Sequence, residues 1–142
     1  MCSSDLSEGI ILGADTLVHL DGWPFGKPKD VKMAREYLQA LSGKIHQVTT
    51  GLALVEAKNG REEMAEETNK VKMHDLSEEE IESYLESGEP FDKAGAYAIQ
   101  GKGFILIDKI WGCYTNVVGL PVGRLRELMQ RFGTPVYNCT SR

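Results

Sequence analysis

A carboxylate stands in the middle of an apolar, β-branched run near the start of the chain. The run Ile10–Leu20 reads IILGADTLVHL, and Asp15 is followed directly by Thr16. Burying a carboxylate in such a strand is costly unless it is paired, hydrogen-bonded or bound to a cation. Asp15 could bond backbone amides, or it could hold a divalent metal or take a proton from an attacking water. Both interpretations stay open at this point.

A second polar group lies in the glycine-rich segment 87–103, SGEPFDKAGAYAIQGKG. Glycine lets backbone approach a ligand closely, while Asp92, Lys93 and Gln100 supply donors and acceptors. The amide of Gln100 matches the imide-like edge of a base. The structural alternative is a helix end and a tight turn, with Asp92 and Lys93 forming an exposed pair that contributes little.

Two other residues could contact a ligand. Lys27 lies in GWPFGKP, which is not a phosphate-binding Walker motif because the glycine spacing is too short and Pro28 stands where Ser or Thr is needed. A loop stiffened by proline could still hold this charge against a phosphate oxygen, unless Lys27 is simply solvated. Asn116, in YTNVVGLP, is either a turn or cap residue or a ligand contact.

Length, charge and cysteine content narrow the class of protein. The 142 residues fit one domain, and 16 basic against 21 acidic residues give a net charge of −5. This balance argues against a nucleic-acid polymer or a membrane surface as partner. No apolar run is long enough to span a membrane, and the opening residues do not read as a secretory signal, so we expect neither feature. Cys2, Cys113 and Cys139 are unclustered, which fits a reducing cytoplasm better than a disulfide framework.

The surrounding pattern predicts alternating strands and helices. We expect strands over 10–20, 44–55, 67–76, 96–99 and 104–110, and helices over 30–41, from Ser77 to Gly88 and from Pro121. Asn59-Gly60 predicts a hairpin, and Ser77 with Glu80 predicts a capping box. Pro24 and Pro28 are expected to keep 23–29 out of regular structure. The residues therefore predict a mixed-sheet domain of the α/β or α+β class.

Six motifs in this order resemble those of the Maf family of nucleoside triphosphate pyrophosphatases. They are GADT, GKP, LSG, TGLAL, SGEPFDKAGAYAIQG and TNVVGLP. The resemblance covers residues 10–132 as one domain, with 1–9 and 133–142 as tails. It implies an α/β fold, with a mixed sheet flanked by helices, that is related to the inosine triphosphate pyrophosphatases, and it implies the formation of homodimers.

The resemblance also implies an activity, namely hydrolysis of a nucleoside triphosphate to the monophosphate and pyrophosphate with Mg²⁺ or Mn²⁺. Asp15 matches the proton acceptor that activates water, and Lys27 matches a lysine on the phosphate side. Thr16 and Gln100 match positions associated with substrate choice. Asp-Thr with Ile-Gln-Gly is similar to the dTTP/UTP branch, whereas the 7-methyl-GTP branch has Gln after the Asp and Glu before the matching Gly.

One part of the family pattern is absent from this sequence. The family opens with a strand, a Ser-x-Ser-Pro-Arg-Arg loop and a helix before the GADT strand, and CSSDLSEG does not replace them. We therefore expect an N-terminally truncated domain with impaired activity, since guanidinium groups make paired bonds to phosphate that lysine cannot make. The alternatives are a non-catalytic nucleotide-binding or regulatory module, and a pyrophosphatase for 7-methyl-GTP or another modified nucleotide.

Overall fold

A computed structural model describes residues 9–133, which form one five-stranded sheet with helices packed against it. The strands are β1 (Ile10–Leu20), β2 (Trp23–Phe25), β3 (Ile45–Glu56), β4 (Glu62–Met73) and β5 (Ile107–Trp111). Their order is β2-β1-β3-β4-β5, and every neighbouring pair is antiparallel. The α/β class with a sheet flanked by helices is confirmed. The predicted tails, including Cys2 and Cys139, lie outside the described residues except for positions 9 and 133.

Within residues 9–133, four α-helices and three short 3-10 helices accompany the sheet. The α-helices are α1 (Val31–Leu41), α2 (Glu78–Glu86), α3 (Tyr114–Val118) and α4 (Val122–Arg131). The 3-10 helices are Glu89–Asp92, Ala94–Ala96 and Gly101–Leu106. None of the helices between residues 9 and 133 is long and apolar enough to cross a membrane.

The N-termini of α1 and α2 are determined by local sequence. Asp30 caps α1 by accepting a hydrogen bond from the Met33 amide at 2.8 Å. The capping box before α2 is confirmed, because the Ser77 hydroxyl accepts from the Glu80 amide and the Glu80 carboxylate accepts from the Ser77 amide. These caps satisfy amides that the first turn of a helix leaves without partners.

Alternating residues of β3 bury two apolar clusters on one face of the sheet. Val48 belongs to a larger cluster with residues of α1 and α2, while Leu52 and Leu54 belong to a smaller one with Leu128 and Met129 of α4. Between them, the inward-facing position of β3 is the buried but polar Thr50. The apolar face is therefore interrupted in the middle, where polar side chains can gather.

The prediction of irregular structure after the first turn was wrong for residues 23–25. They form β2, an edge strand in which Pro24 pairs with His19. Proline lacks an amide hydrogen, but an edge strand leaves one side of its backbone unpaired and so accepts it. Asp21 and Gly22 both have positive φ angles, as a tight two-residue hairpin turn requires.

Two other strand predictions need correction. β4 begins at Glu62 rather than 67, because β3 and β4 pair up to the Asn59-Gly60 turn and the glutamates at 62 and 66 simply face solvent. Residues 96–99 are not a strand, since Gly95 and Ala96 adopt positive φ angles that break an extended run. Residues 101–106 form a 3-10 helix, so β5 begins only at Ile107.

Asn116 fastens α3 to the centre of the sheet. Its side-chain nitrogen lies 3.1 Å from the carbonyl of Val48, 3.0 Å from that of Glu67 and 2.9 Å from Oδ1 of Asn69. The side chain is fully buried, so water cannot replace these bonds. Asn69 in turn donates to the carbonyl of Cys113 at 2.7 Å.

Replacing Asn116 with alanine should lower the free energy of unfolding by about 2–3 kcal/mol, because buried acceptors lose their donor. Chemical denaturation measures this effect. Asn59→Ala is the matched control, since its Oδ1 accepts only an exposed bond from the Arg61 amide, and it should cost less than about 1 kcal/mol. Equal losses for the two variants would contradict the assigned role of Asn116.

His46 is a buried histidine whose ring contacts a tyrosine of the interior. Its Nε2 lies 2.6 Å from the hydroxyl of Tyr97, and the two rings meet edge to face. Burial, with a smaller contribution from the charge of His19, lowers the pKa of His46 to about 4 from the usual 6.5. The folded protein therefore holds this imidazole neutral.

The free energy of unfolding should fall as the pH drops from 6.5 towards 4. In this range the unfolded chain binds a proton on His46, whereas the folded protein keeps the imidazole neutral. The loss from His46 alone amounts to about 3 kcal/mol at most. His46→Gln cannot titrate and should show a flatter dependence of unfolding free energy on pH, whereas the exposed His74→Gln should behave like the unaltered chain. Parallel pH curves for His46→Gln and the unaltered chain would refute the assignment.

Candidate active site

A cleft of about 810 Å³ opens near Thr50, the buried polar residue that separates the two apolar clusters on β3. Its wall combines residues 14–16 of β1, the Lys27 loop, the segment from 87 to 101 and the end of α3. A cavity of this size suits a small organic ligand. Six of the seven predicted site residues line it, namely Asp15, Thr16, Lys27, Asp92, Lys93 and Gln100.

Asp15 is exposed rather than buried, so the burial cost assumed from the sequence does not apply. It lines the cleft from β1, where its side chain and that of Thr16 project from opposite faces of the strand. Gly51 lies directly opposite Asp15 on β3, and Gly13 precedes it by two positions on the same face. A Cβ at either glycine would meet nothing within 4 Å, which shows open space around them. The Asp15 carboxylate has no hydrogen-bond partner within residues 9–133, so it is available to a water, a cation or a substrate.

Thr16 is held by a second threonine that the sequence argument did not single out. The register pairs Thr16 with Thr50, and their hydroxyl oxygens lie 2.9 Å apart. The Thr50 hydroxyl also lies 3.5 Å from the backbone carbonyl of Asn116. Because a hydroxyl both donates and accepts, Thr50 orients the Thr16 hydroxyl within the cleft.

The loop that carries Lys27 is tied to the opposite wall. The Gly95 amide donates to the carbonyl of Gly26 at 3.1 Å, and Pro28 is buried while Lys27 is exposed. Gly95 has a φ of 75°, and a Cβ there would lie only 2.9 Å from Val18 Cγ1. Glycine is therefore required for this close approach, which brings the Lys27 ammonium to the cleft.

Asp92 and Lys93 lie in the cleft wall and form a loose ion pair at 4.0 Å. The Asp92 side chain is 76% exposed, so the pair contributes little to stability. Lys93 can therefore exchange this partner for an anionic ligand at small cost.

Asn116 is not among the residues that line the cleft. The structure places its side chain under the sheet, bonded to β3 and β4 as described above, whereas its neighbours Val117 and Val118 reach the cleft. Its position indicates a structural role.

Glu89 also lines the cleft and was missed by the sequence argument. Its carboxylate accepts hydrogen bonds from the Tyr84 hydroxyl and from the amides of Lys102 and Gly103. No local sequence signal identifies it, because the amides that it binds lie more than ten residues further along the chain. Gln100 lies just before Lys102 and Gly103, and its side-chain amide has no partner within the described part of the chain.

The charges of the cleft decide which ligands it can hold. Lys27 and Lys93 face three carboxylates, those of Asp15, Glu89 and Asp92, and no arginine of residues 9–133 lines the cavity. No cluster of three or more His, Cys, Asp or Glu side chains suited to a metal occurs in the same residues. Mg²⁺ needs only one or two protein carboxylates when substrate phosphates complete its coordination, so Asp15 fits a cation shared with a substrate.

Known proteins resemble this chain over most of its length. The model of the family described as Maf-like protein matches residues 2–132. The dTTP/UTP pyrophosphatase of Carboxydothermus hydrogenoformans is 49% identical over 131 residues, which cover 92% of this chain and 70% of the relative. The proteins of the same name from Dictyoglomus thermophilum and Clostridioides difficile are 50% and 45% identical, again over 92% of this chain and over 68% and 67% of their own lengths.

The family model spans residues 2–132, and the relatives are 45–50% identical over 92% of this chain. The chain belongs to the Maf-like protein family.

Proposed function

We propose that this protein hydrolyses dTTP and UTP to the nucleoside monophosphate and pyrophosphate. The observation that carries the proposal is the meeting of Asp15, Lys27 and Gln100 in one cleft, although they lie on three separate segments of the chain. The relatives named dTTP/UTP pyrophosphatase support this substrate class.

Asp15 is the proposed catalytic base. An unpartnered carboxylate in an open part of the cleft can accept a proton from a water that attacks the α-phosphorus, while pyrophosphate leaves. The space left by Gly13 and Gly51 gives that water room beside the carboxylate. Of the other carboxylates that line the cleft, Asp92 pairs with Lys93 and Glu89 accepts from Tyr84. Asp15 alone among the three has no such partner within the described residues and lies in a paired strand.

Lys27 and Lys93 are the proposed phosphate contacts. A triphosphate carries about four negative charges, and two lysines facing three carboxylates cannot neutralise them alone. We therefore include Mg²⁺ or Mn²⁺ as cofactor, for which Asp15 would be the protein ligand. When bound, the cation offsets the charge that the phosphate oxygens bring into the cleft.

Thr16 and Gln100 are the proposed base-reading residues. Both are neutral. Gln100 offers a donor and an acceptor, while the Thr16 hydroxyl, which donates to Thr50 because Thr50 donates to the Asn116 carbonyl, offers an acceptor to the N–H of uracil or thymine. The Thr50 hydroxyl restricts Thr16, so one direction of its hydroxyl is favoured before the ligand arrives.

A second candidate is a nucleotide-binding module without catalysis. The absence of arginine from the described cleft lining favours it, since paired guanidinium bonds are a strong way to hold a triphosphate. Nucleotide binding without pyrophosphate release from any triphosphate would support this candidate against the first.

We further propose a cytoplasmic protein that acts on free nucleotides and forms a homodimer. Cys113 is a free thiol, as expected in a reducing compartment. The homodimer is proposed on the family resemblance alone, because the exposed apolar residues Leu17 and Met64 share the sheet face of Asp15, which must stay open to substrate.

Asp15→Asn should lower kcat for dTTP and UTP at least about 100-fold, because the amide cannot accept the proton. Pyrophosphate release from a panel of triphosphates with Mg²⁺ or Mn²⁺ measures this. The melting temperature should stay unchanged, since the Asp15 side chain bonds no described residue. Asp21→Asn, in the exposed turn after β1, is the control and should retain full activity; near-normal rates for Asp15→Asn would exclude it as the base.

Gln100→Ala should raise KM for UTP and dTTP by about tenfold with little change in kcat, as expected when a ground-state hydrogen bond is lost. The preference for UTP over CTP should fall in parallel. Gln130→Ala, on the exposed side of α4, serves as the control. An unchanged UTP/CTP preference in Gln100→Ala would remove Gln100 from the base site while leaving the reaction itself in place.

A further inference from the structure

Glu89 has the most heavily bonded carboxylate of the cleft. Its Oε1 accepts from the Tyr84 hydroxyl at 2.7 Å and from the Gly103 amide at 2.9 Å, and its Oε2 accepts from the Lys102 amide at 3.0 Å. Burial raises the pKa of Glu89, but these three hydrogen bonds outweigh burial, and the pKa lies below its usual value. The group is therefore an ionised acceptor at neutral pH that already binds three donors.

The same hydrogen bonds fasten the chain on both sides of Gln100. The Tyr84 hydroxyl, which donates to Glu89, also accepts from the Ala98 amide at 3.1 Å. Ala98 lies two residues before Gln100 and Lys102 lies two residues after it. Tyr84 and Glu89 thus bind both ends of a short backbone segment, residues 98–102, with Gln100 at its centre. We call this segment the arch.

Glycines make this arch possible. Gly101 has a φ of 80°, and a Cβ there would lie 2.5 Å from Oε2 of Glu89. A Cβ at Gly103 would collide with the carbonyl oxygen of Ala98 and lie 2.7 Å from the Tyr84 hydroxyl. The backbone of the arch is packed directly on the two side chains, so its shape depends on them.

A direct catalytic role for Glu89 fits the contacts less well. A general base needs a lone pair that points to water, and three donors already engage this carboxylate. Asp15, in contrast, has no such bonds within residues 9–133. The geometry therefore favours an action of Glu89 through the backbone that it binds.

We propose that Glu89 is a positioning residue that holds the Gln100 side chain at the base-binding end of the cleft. This inference rests on the proposed function, because it assigns Glu89 to substrate selection in that same site. Tyr84 assists by bonding both Glu89 and the Ala98 amide.

Kinetics of Glu89→Gln test the proposal. The glutamine keeps the size but presents an amide group to the Lys102 N–H, so one bond of the arch is lost. KM for UTP should rise about tenfold with kcat changed by less than about threefold, and the preference for UTP over CTP should fall. Glu86→Gln is the matched control, because Glu86 ends α2 on an exposed surface and bonds none of these residues.

A double-mutant cycle separates positioning from an independent effect. If Glu89 acts through Gln100, Glu89→Gln should have little further effect on KM once Gln100 is alanine. If the increases in KM of the two single variants multiplied in the double variant, the proposal would be overturned, because Glu89 would then act on the substrate independently of Gln100.

Hydrogen exchange supplies a readout that does not depend on turnover. The Lys102 amide should exchange at least about tenfold faster in Glu89→Gln than in the unaltered chain, and amides of α1 should not change. Unchanged exchange at Lys102 would overturn the positioning role even in an active enzyme. Lack of pyrophosphate release by the unaltered chain would instead overturn the proposed function, with the exchange result standing separately.

Tyr84→Phe covers the case in which Glu89→Gln does not fold. It removes only the hydroxyl that bonds Glu89 and the Ala98 amide, and leaves the buried ring in place. Faster exchange at Ala98 together with a higher KM for UTP would support the arch. Normal exchange and normal KM in this variant would contradict it.

Discussion

The antiparallel register of β1 against β3 places Asp15 opposite Gly51 and Thr16 opposite Thr50. Side chains alternate between the two faces of a strand, so a slip of one residue would reverse the faces that these residues occupy. The register is held by ten paired positions and by the burial of Leu12 and Val18 on either side of the site. Open space at Asp15 and the oriented hydroxyl at Thr16 both depend on it.

The remaining parts of the cleft reach this strand pair through tied loops. Lys27 arrives through the bond between Gly26 and Gly95, and Gln100 through the arch closed by Tyr84 and Glu89. In both places glycine allows backbone to approach closer than any side chain would permit. These hydrogen bonds hold both loops in place, so Lys27 and Gln100 line the same cavity.

Local patterns in the sequence anticipated some elements well and others poorly. The capping box of α2 and the span of β1 were predictable because they depend on hydrogen bonds and alternation among near neighbours. β2 was missed because only its place at the sheet edge makes Pro24 acceptable. The strand expected over 96–99 was wrong because positive φ angles at Gly95 and Ala96 depend on packing against β1.

For the site, residue types and motif order were enough to identify Asp15, Thr16, Lys27 and Gln100 as candidates, since these features are local. Only the tertiary structure decided that Asp15 is exposed, that Asn116 lies outside the cleft and that Glu89 supports the chain around Gln100. Each of these depends on a residue distant in sequence, such as Gly51 for Asp15 or Val48 for Asn116. Local propensity carries no information about such pairs, because they form only when the sheet brings separate segments together.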